Sequence, residues 1–90
     1  MTQSELMDTI FERPAMYLGH ASVIKMQAFV EGFGFGRGEP DPIYAGFAQW
    51  VVDQYEGLGQ HEWSAVATLK GVTELGAFDV ARSFWKRYKE

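Results

Sequence analysis

Apolar side chains return every three or four positions along most of this chain, and that spacing confines it to short helices packed on one another. Leu75, Phe78, Ala81, Phe84, Trp85 and Tyr88 repeat in this way after Thr73-Glu74. Glu74 sits near the positive end of that helix's dipole and Lys86, Arg87 and Lys89 near the negative end, so charge and period agree. Tyr44, Phe47, Val51 and Tyr55 follow Asp41-Pro42, an N-cap and a first-position proline, and Gly57 and Gly59 close the run. A helix over 42–56 is predicted. Thr2-Gln3-Ser4-Glu5 has the spacing of a capping box, with Leu6, Met7, Ile10 and Phe11 as one stripe behind it, and Pro14 disfavours helical geometry at Arg13. The first helix therefore covers 3–12.

Ser22 can cap a further helix whose buried face is Val23, Met26, Val30 and Phe33, with Phe29 beside it. GFGFGRG over 32–38 has glycine at every second position, and the helix is expected to end within it. Trp63, Val66 and Ala67 ahead of Gly71 predict about two helical turns within 60–70, without a good cap at the start. RPAMYLG, residues 13–19, reads as an ordered connection that packs Met16, Tyr17 and Leu18, with Arg13 placed to cap helix carbonyls or to pair with Glu12 or Asp8. Only FGFGR alternates like a strand, and its glycines weaken that reading. The fold class that results is all-α, a compact single-domain bundle of four or five helices over 1–90.

With 90 residues, 47% hydrophobic and 16% aromatic, the chain can build one core but not two. No apolar run reaches the ~20 residues of a membrane span, and MTQSELMDTI lacks the basic start and apolar stretch of a signal peptide; a cytoplasmic protein without a membrane partner is expected. The absence of cysteine removes disulfides, thiolate catalysis and zinc–thiolate sites together. His20 and His61 have no ligand-spaced or catalytic neighbours, and none of the four serines lies in a GxSxG elbow. The glycine run is no phosphate cradle, because Arg37 or Glu39 falls where the third glycine of GxGxxG would stand. No catalytic residue, cofactor or metal is expected.

Charge points instead to a partner. Residues 1–62 hold nine acids and three bases, net −6, whereas residues 63–90 are net +2. The basic tail matches what a helix C-terminus prefers on dipole grounds, and the acidic remainder would repel phosphates, so a nucleic acid partner is not expected. GFGFGRGEPDP and QYEGLGQHEW mix glycine, aromatics and carboxylates, the composition of a contact surface. Phe35, Glu39, Asp41, Asp53, Glu56 and Glu62 are the candidate partner-binding residues, and joint reversal of Glu39, Asp41, Asp53 and Glu56 is expected to weaken binding at nearly unchanged stability.

RPAMYLG is similar to a segment of type II topoisomerase ATPase domains, but only twelve residues precede Arg13 and neither the asparagine motif nor an αβ pattern accompanies it. The order RPAMYLG, GFAQWVVDQY, HEW and GAFDVARSFWKRY resembles a group of small bacterial proteins, several of which look like immunity partners of polymorphic toxins. Arg13, Pro14, Met16, Tyr17, Gly19, Trp50, Trp63, Ala77, Phe78 and Asp79 carry the resemblance. It implies a non-catalytic inhibitor of a cognate protein toxin, such as a basic nuclease, acting as a monomer or weak homo-oligomer. A regulatory or structural subunit that self-associates or docks on a larger protein, and a small ligand-binding or enzyme domain, are the alternatives.

Overall fold

The computed structural model describes residues 1–38 and 41–90, with all side chains in that range except those of Phe35 and Arg37. Among the described residues, six α-helices follow in order: α1 (Gln3–Glu12), α2 (Pro14–Leu18), α3 (Val23–Arg37), α4 (Pro42–Gln54), α5 (Trp63–Gly71) and α6 (Glu74–Lys89), with a 3-10 turn at Glu56–Leu58 between α4 and α5. No strand occurs among the described residues. The all-α expectation holds, with six helices where four or five are expected. The extra one is α2, where the chain reads as a connection. Arg13, at φ −138°, is at once the last cap of α1 and the first of α2, because a residue before proline leaves the helical region and Pro14 is then pre-set for the first helical position.

Local capping forms where the sequence places it. Glu5 N–H donates to Thr2 Oγ1 at 3.1 Å while Thr2 N–H donates to Glu5 Oε1 at 2.9 Å, a complete capping box. Ile43 N–H donates to Asp41 Oδ1 at 2.9 Å, and Gly76 N–H to Thr73 Oγ1 at 3.0 Å. α3 runs through Gly32, Gly34 and Gly36 and ends only at Arg37, the far side of the segment where its end was expected. Gly34 faces α1: a Cβ there would run into the side chain of Gln3, which is itself buried and donates to the Val30 carbonyl at 3.0 Å.

One core joins all six helices. Phe47 of α4 is its hub, edge-on to Trp63 of α5 at 5.3 Å, to Trp85 of α6 at 4.9 Å and to Tyr88 at 5.7 Å. Such pairs add about 0.5–1.5 kcal/mol each beyond area burial, so α4 is tied to both later helices by one side chain. Phe11 meets Phe78 edge-on at 5.3 Å and seats α1 on α6. Two apolar residues escape the burial expected of them. Met16 is 67% exposed on α2, leaving Leu18 as that helix's buried residue, and Leu75 is 70% exposed although it shares α6's apolar period. A two- or three-contact helix face is narrower than the stripe that spacing alone suggests.

α5 and α6 fold back on each other through a very short turn. Thr73 N–H donates to the Gly71 carbonyl at 2.8 Å across Val72, which has φ 70° and ψ −48°. That is a γ-turn of positive φ centred on a β-branched residue, a strained geometry. Gly71 and Gly76 permit the approach: a Cβ on Gly71 would collide with the Ala77 backbone, and one on Gly76 with the Gly71 carbonyl.

Candidate functional site

The carboxylates that the sequence singles out do not, among the described residues, form one patch. Asp41 and Asp53 stand near opposite ends of α4, roughly 18 Å apart along its axis. Asp53 is exposed and accepts from Gln49 Nε2 at 2.8 Å; Glu56 is exposed at the start of the 3-10 turn. Glu39 and the side chain of Phe35 lie outside the described residues. Glu62 sits elsewhere, at the head of α5.

Asp41 is a structural staple as well as a cap. Its Oδ2 accepts from Ser4 N–H at 2.7 Å, and its own N–H donates to Gln3 Oε1 at 3.1 Å, so the starts of α1 and α4 are clamped together. Burial alone would raise its pKa, but the hydrogen bonds from Ser4, Ile43 and Tyr44 outweigh it and hold the carboxyl below its ordinary value. The expected reversal of Asp41 at unchanged stability therefore fails on structural grounds. A folded pKa below the unfolded one means that the stabilisation is fully present above about pH 4 and is lost as pH falls through the folded value. Asp41→Asn is expected to cost about 1–2 kcal/mol at neutral pH and to flatten the acid limb of a melting-temperature profile below pH 4. An unchanged acid limb would show that the staple carries no linkage.

Glu62 belongs to a polar network where α3, α4 and α5 meet. The network centres on Gln27, a 6%-exposed residue of α3. Gln27 Nε2 donates to Glu31 Oε2 at 3.1 Å and also to Glu62 Oε2, while its Oε1 accepts from Ser64 N–H at 3.1 Å. A side chain from another helix thus supplies the cap that α5 lacks in its own sequence. Trp63 Nε1 donates to Tyr44 Oη at 2.8 Å, and Tyr44 Oη donates to Glu31 Oε2 at 2.9 Å. Burial pushes the Tyr44 hydroxyl well above the tyrosine range; the Trp63 bond works the other way, and the carboxylates of Glu31 and Glu62 add to the rise. It stays a donor. The outcome is two exposed carboxylates held by one amide group, with oxygens free to accept from outside.

Beside this pair runs an apolar surface between α3 and α5. Two shallow hollows of about 340 and 130 Å³ adjoin there, sharing Ile24 and Thr68. Leu69 lines the first and Val72 the second; Ile24 is 62%, Leu69 53% and Val72 85% exposed. Glu62 lies in the lining of one and Glu74 in that of the other, with no cation in either lining. His20 stands 4.0 Å from Glu74.

Four cations of α5 and α6 lie against aromatic rings. Arg82 and Lys89 lie over the rings of Phe78 and Trp85, Arg87 over Trp50 and Phe84, and Lys70 of α5 is turned onto Tyr55, all at 4.9–5.9 Å. Lys89 also grips Asp8 at 2.9 Å, and Asp8 accepts from Trp85 Nε1 at 2.7 Å. Arg82 Nη2 donates to the Phe11 carbonyl at 2.8 Å. The carbonyl cap expected of Arg13 thus comes from α6, and Asp8 is taken by Lys89. A groove of about 390 Å³ between α1 and α6 is lined by Phe11 and Trp85, by Arg82, Lys86 and Lys89, and by Asp8 and Glu90. Among the described residues no group of three or more histidines, acids or cysteines gathers in ligand geometry, and no helix is long and apolar enough to cross a membrane. No known protein family, curated protein or solved structure matches the chain.

Proposed function

We propose that this chain is a binding protein that neutralises a basic protein partner, in the manner of an immunity protein towards its toxin, with no chemistry of its own. The observation that carries this reading is the separation of charge. Lys70, Arg82, Arg87 and Lys89 are drawn onto aromatic rings of the fold, while Glu31 and Glu62 are held side by side at the surface next to exposed apolar residues. Such a face attracts a cationic protein from a distance and offers apolar area once it arrives. The resemblance of RPAMYLG, GFAQWVVDQY, HEW and GAFDVARSFWKRY to immunity proteins agrees with it.

The test expresses the proteins encoded beside this gene in a host with and without the chain. A neighbour that is toxic alone and tolerated with the chain is the expected result, with an association rate that falls steeply between low and physiological salt. Glu31→Lys together with Glu62→Lys should abolish protection, though it also removes the acceptors of Gln27 and Tyr44; Glu31→Gln together with Glu62→Gln, which keep an acceptor oxygen at each place, should weaken protection while the chain stays folded by circular dichroism. Protection that survives the double reversal, or an association rate indifferent to salt, overturns the reading.

A further inference from the structure

Resting on that reading, we infer that the partner's docking element is a basic amphipathic helix of about three turns, seated in the α3–α5 groove between Glu62 and Glu74 and packed on Ile24, Leu69 and Val72. Three observations support this occupant. The first is shape: the two hollows line up along α5, whose nine residues span roughly 13 Å, and a furrow between two helices is filled by the side-chain ridge of a third.

The second is charge. A carboxylate stands at each end of the groove: Glu62, with Glu31 beside it, at the head of α5, and Glu74 just past its end. Cations roughly 15 Å apart, about three helical turns, would meet both. Lys25 and Lys70 belong to α3 and α5 but to neither lining, and Lys70 is held over Tyr55. A second copy docking groove to groove would bring like charge to the same place, since its own groove ends are acidic.

The third is strain. Glycine adopts the γ-turn at position 72 without penalty, yet a valine stands there with its side chain almost wholly in water. Nothing within the fold uses that isopropyl group; a docked helix would.

The probe is a synthetic amphipathic helix of about 15 residues, with leucine at i, i+3, i+4 and i+7 and lysines about ten positions apart flanking them. Amide shift mapping is expected to place it on Ile24, Thr68, Leu69 and Val72. Leu69→Glu, at an exposed position, should weaken binding at least about tenfold, and so should glutamate in place of the peptide's lysines. Val72→Gly should raise the melting temperature by a few degrees while weakening the peptide.

Shifts that map elsewhere, equal binding of the glutamate-ended peptide, or a Val72→Gly variant that binds undiminished would each overturn the inference. So would a dilution-dependent dimer abolished by Leu69→Glu, which would assign the groove to a second copy. Host protection that survives Leu69→Glu would sink the groove and leave the neutralising role standing. Peptide binding without any protected neighbour would sink the role and leave the groove.

Discussion

Trp63→Ala should remove about a quarter or more of this protein's stability. Trp63 is 1% exposed, meets Phe47 and Tyr44 edge-on, and gives its indole N–H to the Tyr44 hydroxyl. Truncating a buried tryptophan costs about 3–5 kcal/mol through lost transfer energy and the cavity left behind. A domain of this length holds only about 5–13 kcal/mol in all. The loss does not stop at packing, because the buried Tyr44 hydroxyl loses its donor and the relay to Glu31 slackens. Trp63→Phe separates the two effects: it keeps most of the ring and should cost about 1–2 kcal/mol more than packing alone predicts. Urea titrations followed by far-ultraviolet circular dichroism read both variants. A Trp63→Ala cost under 1 kcal/mol would mean that α5 is not held by this residue.

Gly71→Ala and Gly32→Ala make the same chemical change and should have opposite signs. At Gly71 the added methyl meets the Ala77 backbone, which cannot rotate away as a side chain would. Either α5 and α6 separate or the γ-turn at Val72 reopens, at about 2–3 kcal/mol or more. At Gly32, within α3, nothing lies within 4 Å of the new methyl, and helix propensity favours alanine by about 0.5–1 kcal/mol. Melting temperatures of the two variants should straddle that of the parent. If both fall, α3 does not continue as a helix through its glycines; if both rise, the α5–α6 turn is not as tight as described.

Most of the helices were legible because their signals are local. The Thr2–Glu5 box, the Asp41-Pro42 start and the Thr73 cap each act within one turn of backbone, and each forms as its residues demand. α2 reads as a connection in the sequence for a related reason: Pro14 both ends one helix and begins the next, and sequence pattern registers only the ending. The exposure of Met16 and Leu75 was not legible, since periodicity marks a face without saying how much of it a neighbour covers.

The candidate site was legible only in its sign. Acidic surplus in the first two thirds of the chain suggested a cationic partner, but it could not say that Asp41 is tied to Ser4, that Glu62 shares Gln27 with Glu31, or that the apolar strip beside them is Ile24, Leu69 and Val72. Gln27 gave no warning of its importance, because an amide in the middle of a helix carries no pattern until another helix ends against it.

By itself, then, the order of residues determined helix type, helix starts and the sign of the surface, all consequences of groups within about four positions of one another. Tertiary structure alone decided which group satisfies which across the fold: Gln3 with Val30, Gln27 with Ser64, Arg82 with Phe11 and Asp8 with Trp85, partners 27 to 77 positions apart. Those pairings follow from the angles at which helices pack, and packing angles depend on how bulky side chains such as Phe47 and Trp63 interlock, a property of the assembled core that no single segment contains.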